Sequence, residues 1–418
     1  MQPGASPIAQ VGTLIAATSI AQLANGFFTT FISLRVISEG FGSAATGIIL
    51  SSYFLGFTIG AVWSTSLITR IGHIRAYAAF AALVVGGASV MPLTNHPAVW
   101  SAARALVGLG CSGLFVTTEC WLNAKTEPSQ RGRIFSLYMV GIFAALALGQ
   151  ALLAVASLDG ARPFAFVSML FSAALALVSL TRAEPPLAMA YVALRYGELA
   201  KAAPLAVAGT FLAGFISSTF YALVPAWMQG RGLEPSLVGL VMVSVVLGGL
   251  AFQVPVGRLS DRFDRRLVLL AVALGFAASA FLVTLVPRTL VAVLPVAAVI
   301  GGTMSTLYPL CVSHAHDRMP SDRVLAVSGR LILVSGIGSI LGPLVGIGTM
   351  DVIGLNGVLY VLAAAGVVLA GLAYAESVRT MQLGRSTRPF EILTPEAAGL
   401  PHDVGPGAGT TTPRSVQS

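Results

Sequence analysis

The chain has 418 residues, of which 56% are hydrophobic and only 10% charged, with a mean hydropathy of +0.86. So few charges cannot cover a water-soluble globule of this length, and lipid is therefore the solvent for most of the chain. The formal net charge of +8 reads as membrane topology and attraction to anionic headgroups, not as a nucleic-acid face, because no soluble basic surface is available to carry one.

A transmembrane helix needs about 20 mainly apolar residues. Runs of that kind lie between polar or Gly/Pro breaks at 11–34, 45–69, 74–93, 97–122, 133–157, 162–181, 204–228, 236–257, 266–286, 289–313, 324–349 and 355–377. Only helices and closed barrels satisfy every backbone group in hydrocarbon. The runs lack strand alternation, so all twelve are predicted as helices. Residues 1–10 hold no Lys or Arg and the first run is of full spanning length, so no cleavable leader is expected.

Pro185-Pro186 ends the sixth run, and the stretch around Tyr191, Leu194, Arg195 and Leu199 predicts a small amphipathic helix on the inner leaflet. After about residue 384 the chain is rich in Gly, Pro and Thr, a composition that predicts disorder. The expected organisation is a first six-helix half over 1–181, a linker over 182–203, a second half over 204–380 and a cytoplasmic tail over 381–418. With the N-terminus inside, about 18 of the 24 Lys and Arg fall on the cytoplasmic side, against Arg35, Arg162, Arg231 and Arg288 on the other. The positive-inside rule places both termini in the cytoplasm of a multi-pass protein of the cell's inner (plasma) membrane.

The two halves carry a repeat. Between the eighth and ninth runs stands VGRLSDRFDRR (Val256 to Arg266), and upstream, in a register of 192 positions, TSLITRIGHIR (Thr65 to Arg75) occupies the same place. Asp261 falls opposite Thr69, Arg262 opposite Arg70, Arg265 opposite His73, and Arg131 opposite Arg323. One register fits several landmarks, as a duplicated chain requires.

Residues 10–380 resemble a major facilitator superfamily transporter, and several segments resemble its YcaD-type subgroup: SSYFLG at Ser51–Gly56, RIGHIRAY at Arg70–Tyr77, the Glu119-bearing end of the fourth run, RGRIFSLYM at Arg131–Met139, GRLSDRF at Gly257–Phe263 and GSILGP at Gly338–Pro343. The resemblance implies an all-α membrane fold of twelve helices in two pseudo-symmetric halves. It also implies a loop signature, roughly GxLxDRxGRR, that Gly257, Leu259, Asp261, Arg262, Arg265 and Arg266 match, with Asp264 where Gly is usual. The first copy keeps Arg70 and Gly72 but has Thr69 in place of Asp. An Asp there can accept charge-assisted hydrogen bonds from Arg residues and a helix N-terminus, an expected latch holding the cytoplasmic face shut; the alternative is that these charges only set topology.

Charges inside the spans are costly and usually mark a path or a partner. Arg104 and Glu119 lie fifteen residues apart on the fourth run, about 22 Å of rise and about 60° of rotation, and so line one face from opposite ends. Arg104 is expected either to anchor an anionic solute group or bias a proton site in the cavity, or to snorkel at the outer boundary. Glu119 is a gate ion-paired with Arg70, Arg75, Arg131 or Arg133, a proton site, or a passive interface residue. Arg330 lies about two turns into the eleventh run, which also carries GPLVG at Gly342–Gly346, read as close packing and a kink. The His314-Ala315-His316-Asp317 cluster reads as a solvated loop rather than a metal site.

The resemblance further implies that the first, fourth, seventh and tenth helices line the cavity. Their polar candidates are Gln22, Asn25 and Thr29; Arg104, Thr117 and Thr118; Ser217, Ser218, Thr219 and Tyr221; Thr303, Ser305, Thr306 and Tyr308. With so few charges, such a pocket suits a small, partly apolar or singly anionic solute better than a sugar. Cys111, Cys120 and Cys311 have no paired spacing and read as packing thiols. No phosphate-binding GxxxxGK[ST] loop and no nucleophile–base set is visible. The expectation is a monomeric secondary transporter working by alternating access, driven by a solute gradient or by protons, with no cofactor, metal or enzymatic activity. An uncoupled facilitator and a non-transporting receptor or scaffold are the alternatives.

Overall fold

The structure, a computed structural model, describes residues 7–126, 131–154, 159–180, 196–287, 289–320 and 323–379. Twelve helices among the described residues are long and apolar enough to cross a membrane. In chain order they are α1 (Pro7–Ser38), α2 (Ser43–Ile71), α3 (His73–Val90), α4 (Pro97–Lys125), α5 (Arg131–Ala151) and α6 (Arg162–Ser179) in the first half, then α8 (Pro204–Gly230), α9 (Pro235–Arg262), α10 (Arg265–Leu282), α11 (Leu290–Arg318), α12 (Val324–Ile353) and α13 (Gly357–Arg379) in the second. The short helix α7 (Tyr196–Ala202) precedes the second half. Its Leu199 is buried, and residues 191–195 of the expected amphipathic stretch lie outside the described residues, as does the tail from 380.

Several helices run past the apolar stretches that announce them. α9 continues to Arg262, so Gly257, Asp261 and Arg262 stand on a helix and not in a hairpin loop; only Phe263 and Asp264 separate α9 from α10. In the first half a single residue makes the same turn. Gly72 ends α2 and begins α3 at φ 82°, a left-handed backbone that favours glycine.

The repeat is visible in packing. α2 crosses α4 with Gly56 against the carbonyl of Ala105, and α9 crosses α11 with Gly248, 192 positions on, against the carbonyl of Ala298. A Cβ at either position meets a backbone carbonyl, so both crossings are as close as small residues permit. GPLVG serves the same end: Gly342 sits against Ser218 and Thr219, Gly346 against Leu223 and Thr219, and Pro343 lies inside α12.

The halves meet toward one face. The Ser33 hydroxyl donates to the Ala222 carbonyl (2.5 Å) and the Ser43 hydroxyl to the Asp351 carboxylate (2.7 Å). Gly47 packs on Leu344 and Ile347, and Gly239 on Gln150 and Leu153. These residues cluster at the α1, α8 and α12 C-terminal ends and the α2 and α9 N-terminal ends, termed here the sealed face. The opposite face carries the α2–α3 and α9–α10 turns and α7, and is termed the linker face.

Candidate functional site

Between the halves lies a cavity of about 1470 Å³, open solvent at its mouth included. Residues from α1, α2, α4, α5, α8, α9, α11 and α12 line it, most from the middle turns of their helices. Glu119, Gln253 and Ile332 lie on its linker-face side. Asn25, Glu119, Tyr221 and Tyr308 are in the lining; Arg104 and Arg330 are not.

Of the polar candidates, Gln22, Thr29, Ser217, Ser218 and Ser305 line the cavity, and the Ser218 and Ser305 hydroxyls also donate to the carbonyls of Phe215 and Gly301 on their own helices. Thr117 and Thr219 bond the carbonyls of Gly113 and Phe215 on their own helices, Thr303 and Thr306 bond carbonyls of α11, and Thr118 meets Thr18 at 2.9 Å. Such back-bonding is the ordinary fate of a membrane Ser or Thr. Tyr53, Gln150, Gln253, Ser335 and Ser339 also line the cavity. They sit on α2, α5, α9 and α12, outside the four helices the sequence singled out.

Arg104 is 2% exposed, so it does not snorkel. Its guanidinium lies 4.6 Å from the Tyr53 ring centroid and 5.6 Å from that of Phe28. Among the described residues its Nε and Nη1 have no hydrogen-bond partner. Tyr53 stands between this charge and the cavity, and its hydroxyl donates to Asn25 Oδ1 at 3.1 Å. Two aromatic faces thus replace the hydration of a buried cation, and in this conformation the guanidinium is no part of the cavity wall.

Glu119 is 1% exposed yet lines the cavity, and its Oε1 accepts from the Tyr138 hydroxyl of α5 at 3.2 Å. Arg70 and Arg75 are exposed and form no ion pair among the described residues. The side chains of Arg131 and Arg133 lie outside the described residues, although α5 begins at Arg131. Arg330 is half-buried on α12, two residues before the lining Ile332.

At the linker face of the second half, the loop signature forms ion pairs within that half. Arg265, 3% exposed, pairs with Asp317 of α11 at 2.9 Å and more distantly with Asp261 at 3.9 Å; Asp261 is 39% exposed. Asp264, the departure from the signature, caps α10 by accepting from the Arg266 backbone N–H (2.9 Å) and binds the Arg266 guanidinium at 2.7 Å. Arg266 also donates to the Glu376 carbonyl, and Arg318 pairs with the Glu376 carboxylate at 3.0 Å. The 314–317 cluster is therefore not a solvated loop. It is the last turns of α11, with His314 and His316 buried and His316 hydrogen-bonded to Ser328 of α12 at 3.0 Å. The expected loop failed because helix α11 outlasts its apolar stretch and its polar end packs against α10 and α12.

The sequence profile described as Major Facilitator Superfamily matches residues 14–197 and 206–397. Among curated relatives, the "Uncharacterized MFS-type transporter YcaD" of Escherichia fergusonii is 28% identical over 336 residues, covering 79% of this chain and 86% of that protein. Among solved structures, a mutant of the nucleoside transporter NupG superposes with a TM-score of 0.74 at 13% identity, covering 88% of this chain and 99% of that one. A bacterial homolog of the human lysosomal transporter Spinster, inward-facing and unoccupied, gives 0.72 at 13% identity, covering 91% and 98%. With both halves matched by the family profile and twelve helices in this arrangement, the chain belongs to the Major Facilitator Superfamily.

Proposed function

We propose that the protein is a secondary transporter that carries a small organic solute through the cavity between its halves by alternating access. The observation that carries this reading is the cavity itself: helices of both halves line it, and the Ser33–Ala222 and Ser43–Asp351 hydrogen bonds between the halves lie toward one face. Relative rocking that separates α2 from α12 and α1 from α8 opens the sealed face without unfolding either half.

The excess of Lys and Arg near the linker face supports the reading that this face is cytoplasmic in the inner membrane, with both termini on that side. The conformation is then closed to the outside. On this reading residues 1–181 and 204–380 are the moving bodies, 182–203 joins them, and the monomer is the transporting unit. Among the described lining residues Glu119 is the ionisable acid, and on this reading it is the group through which proton coupling acts. Reconstitution in sealed liposomes tests the reading: saturable, substrate-dependent flux is expected, with a response to an imposed pH gradient that Glu119→Gln abolishes. Binding without flux leaves a receptor. Flux whose pH response survives Glu119→Gln leaves an uncoupled facilitator or another coupling site.

A further inference from the structure

Taking the cavity as the transport site, we propose that it recognises neutral hydrogen-bond acceptor oxygens of its solute, as in ketones, esters and tertiary amides, through carboxamide N–H groups of both halves. Four carboxamides line the cavity: Gln22 and Asn25 on α1, Gln150 on α5 and Gln253 on α9. Gln150 is used up by the fold, its Oε1 accepting from the Thr30 hydroxyl at 2.8 Å and its Nε2 donating to the Gly26 carbonyl at 3.1 Å. In the other three a nitrogen remains for the solute.

Asn25 has its oxygen engaged: Oδ1 accepts from the Tyr53 hydroxyl at 3.1 Å and from the Cys111 thiol at 3.6 Å. The amide is thereby fixed with its NH2 end toward the cavity. Gln22 and Gln253 are only 7% and 2% exposed, and each buries its Oε1 with no hydrogen-bond partner among the described residues. Their nitrogens are not among the buried groups and make no hydrogen bond among the described residues. A half-turn of either amide would bury two N–H donors in place of one oxygen, and every buried donor left unpaired is costly. The nitrogen is therefore the end that faces the cavity. Two such donor groups come from the first half and one from the second, so a solute with acceptor oxygens is oriented between them and ties the halves together. A solute of the same shape without those oxygens leaves the donors it dehydrates unpaired, a stronger discrimination than the loss of an apolar contact. This recognition needs no net charge on the solute.

The probes are 1,4-diacetylbenzene and 1,4-diisopropenylbenzene, which share a shape and differ in that the first carries carbonyl oxygens where the second carries CH2 groups. Equilibrium binding to the full chain purified in detergent compares each probe between wild type and variants, so that its partition into the micelle cancels. Gln253→Met should weaken the diketone fivefold or more, and so should Gln22→Met or Asn25→Leu, while the hydrocarbon stays within twofold throughout. Both Gln→Met variants should melt at or above the wild-type midpoint, because each removes a buried oxygen that has no partner among the described residues; lost binding there is then not a lost fold. No diketone binding by wild type, a loss confined to one half, unchanged diketone affinity in all three variants, hydrocarbon affinity falling in parallel, or a lowered midpoint in both Gln→Met variants overturns the proposal. Flux in sealed vesicles separates this from the transport reading. Carboxamide-dependent diketone binding with no saturable flux of any solute overturns transport alone, whereas saturable flux of a solute without acceptor oxygens, unchanged in the three variants, overturns the acceptor class alone.

Discussion

The Arg104 guanidinium lies 4.6 Å from the centroid of the Tyr53 ring, and it is Tyr53, not Arg104, that faces the cavity. A cation–π contact of a desolvated Arg is worth about 2 kcal/mol per good ring, whereas each unpartnered buried donor costs about 1–3 kcal/mol. With Nε and Nη1 both unpartnered among the described residues, these terms nearly cancel. Arg104→Met, which keeps length and apolar contact, should leave thermal stability in detergent within about 1 kcal/mol of wild type. Arg104→Ala should cost about 2–5 kcal/mol through the void it leaves. Arg104→Lys should be less stable than Arg104→Met, since an ammonium keeps the charge but lacks the planar group that stacks. A Met variant as unstable as the Ala variant would show that the charge itself holds α4 against α1 and α2.

The 192-residue repeat makes a paired prediction at Gly56 and Gly248. Each sits where a Cβ would collide with the carbonyl of a crossing helix. Gly56→Val and Gly248→Val should each destabilise by about 1–3 kcal/mol, as overpacking generally does, with a matched drop in thermal midpoint and in yield. A large effect at one site with none at the other would break the equivalence of the two crossings.

The ion pairs of the second half rank themselves by burial. Removing one partner of a buried pair costs about 3–5 kcal/mol, so Arg265→Gln and Asp317→Asn should each be strongly destabilising. The double variant should cost less than the sum of the two. Asp261 is more exposed and 3.9 Å from Arg265, a geometry worth about 0–1 kcal/mol, so Asp261→Asn should leave the thermal midpoint almost unchanged. If Asp261 is also a latch, its loss appears in transport and in linker-face accessibility but not in stability. Thermal melts and flux assays on these four variants check both halves of this statement.

The topology is tested with single cysteines placed after Cys111, Cys120 and Cys311 are replaced. Thr69 and Asn95 are both exposed, at opposite ends of the α3 region. Thr69→Cys should react with impermeant thiol reagent only from the cytoplasmic side and Asn95→Cys only from outside. Labelling of both from one side contradicts the assignment of the linker face.

What the sequence made legible was whatever depends on run length and charge position. The twelve spans and the register linking Asp261 to Thr69 come from those signals directly. Lining residues were legible on α1, α8 and α11, where Asn25, Tyr221 and Tyr308 are polar interruptions of apolar helices. They were hidden on α5 and α12, because Gln150 and Ser335 stand on helices whose lipid-facing and buried sides are equally apolar, so no periodicity marks which side faces inward. Arg104 and Glu119 show the same limit: their spacing puts them on one face of α4, yet only packing reveals that Tyr53 covers one of them. Asp317 and Asp264 were missed as partners of Arg265 and Arg266 because the first pairing spans two helices and the second depends on a cap.

Alternating access is tested most directly at Ser43 and Asp351, whose side chains hydrogen-bond across the sealed face at 2.7 Å. In the cysteine-replaced background, Ser43→Cys with Asp351→Cys, bridged by a short bifunctional thiol reagent in proteoliposomes, should hold that face shut. Flux should fall to the background of protein-free vesicles and return when a reductant cleaves the bridge, while each single variant keeps its flux after the same treatment. Full flux through protein shown to be bridged would contradict the account, because solute would then be crossing without separation of the two halves at that face.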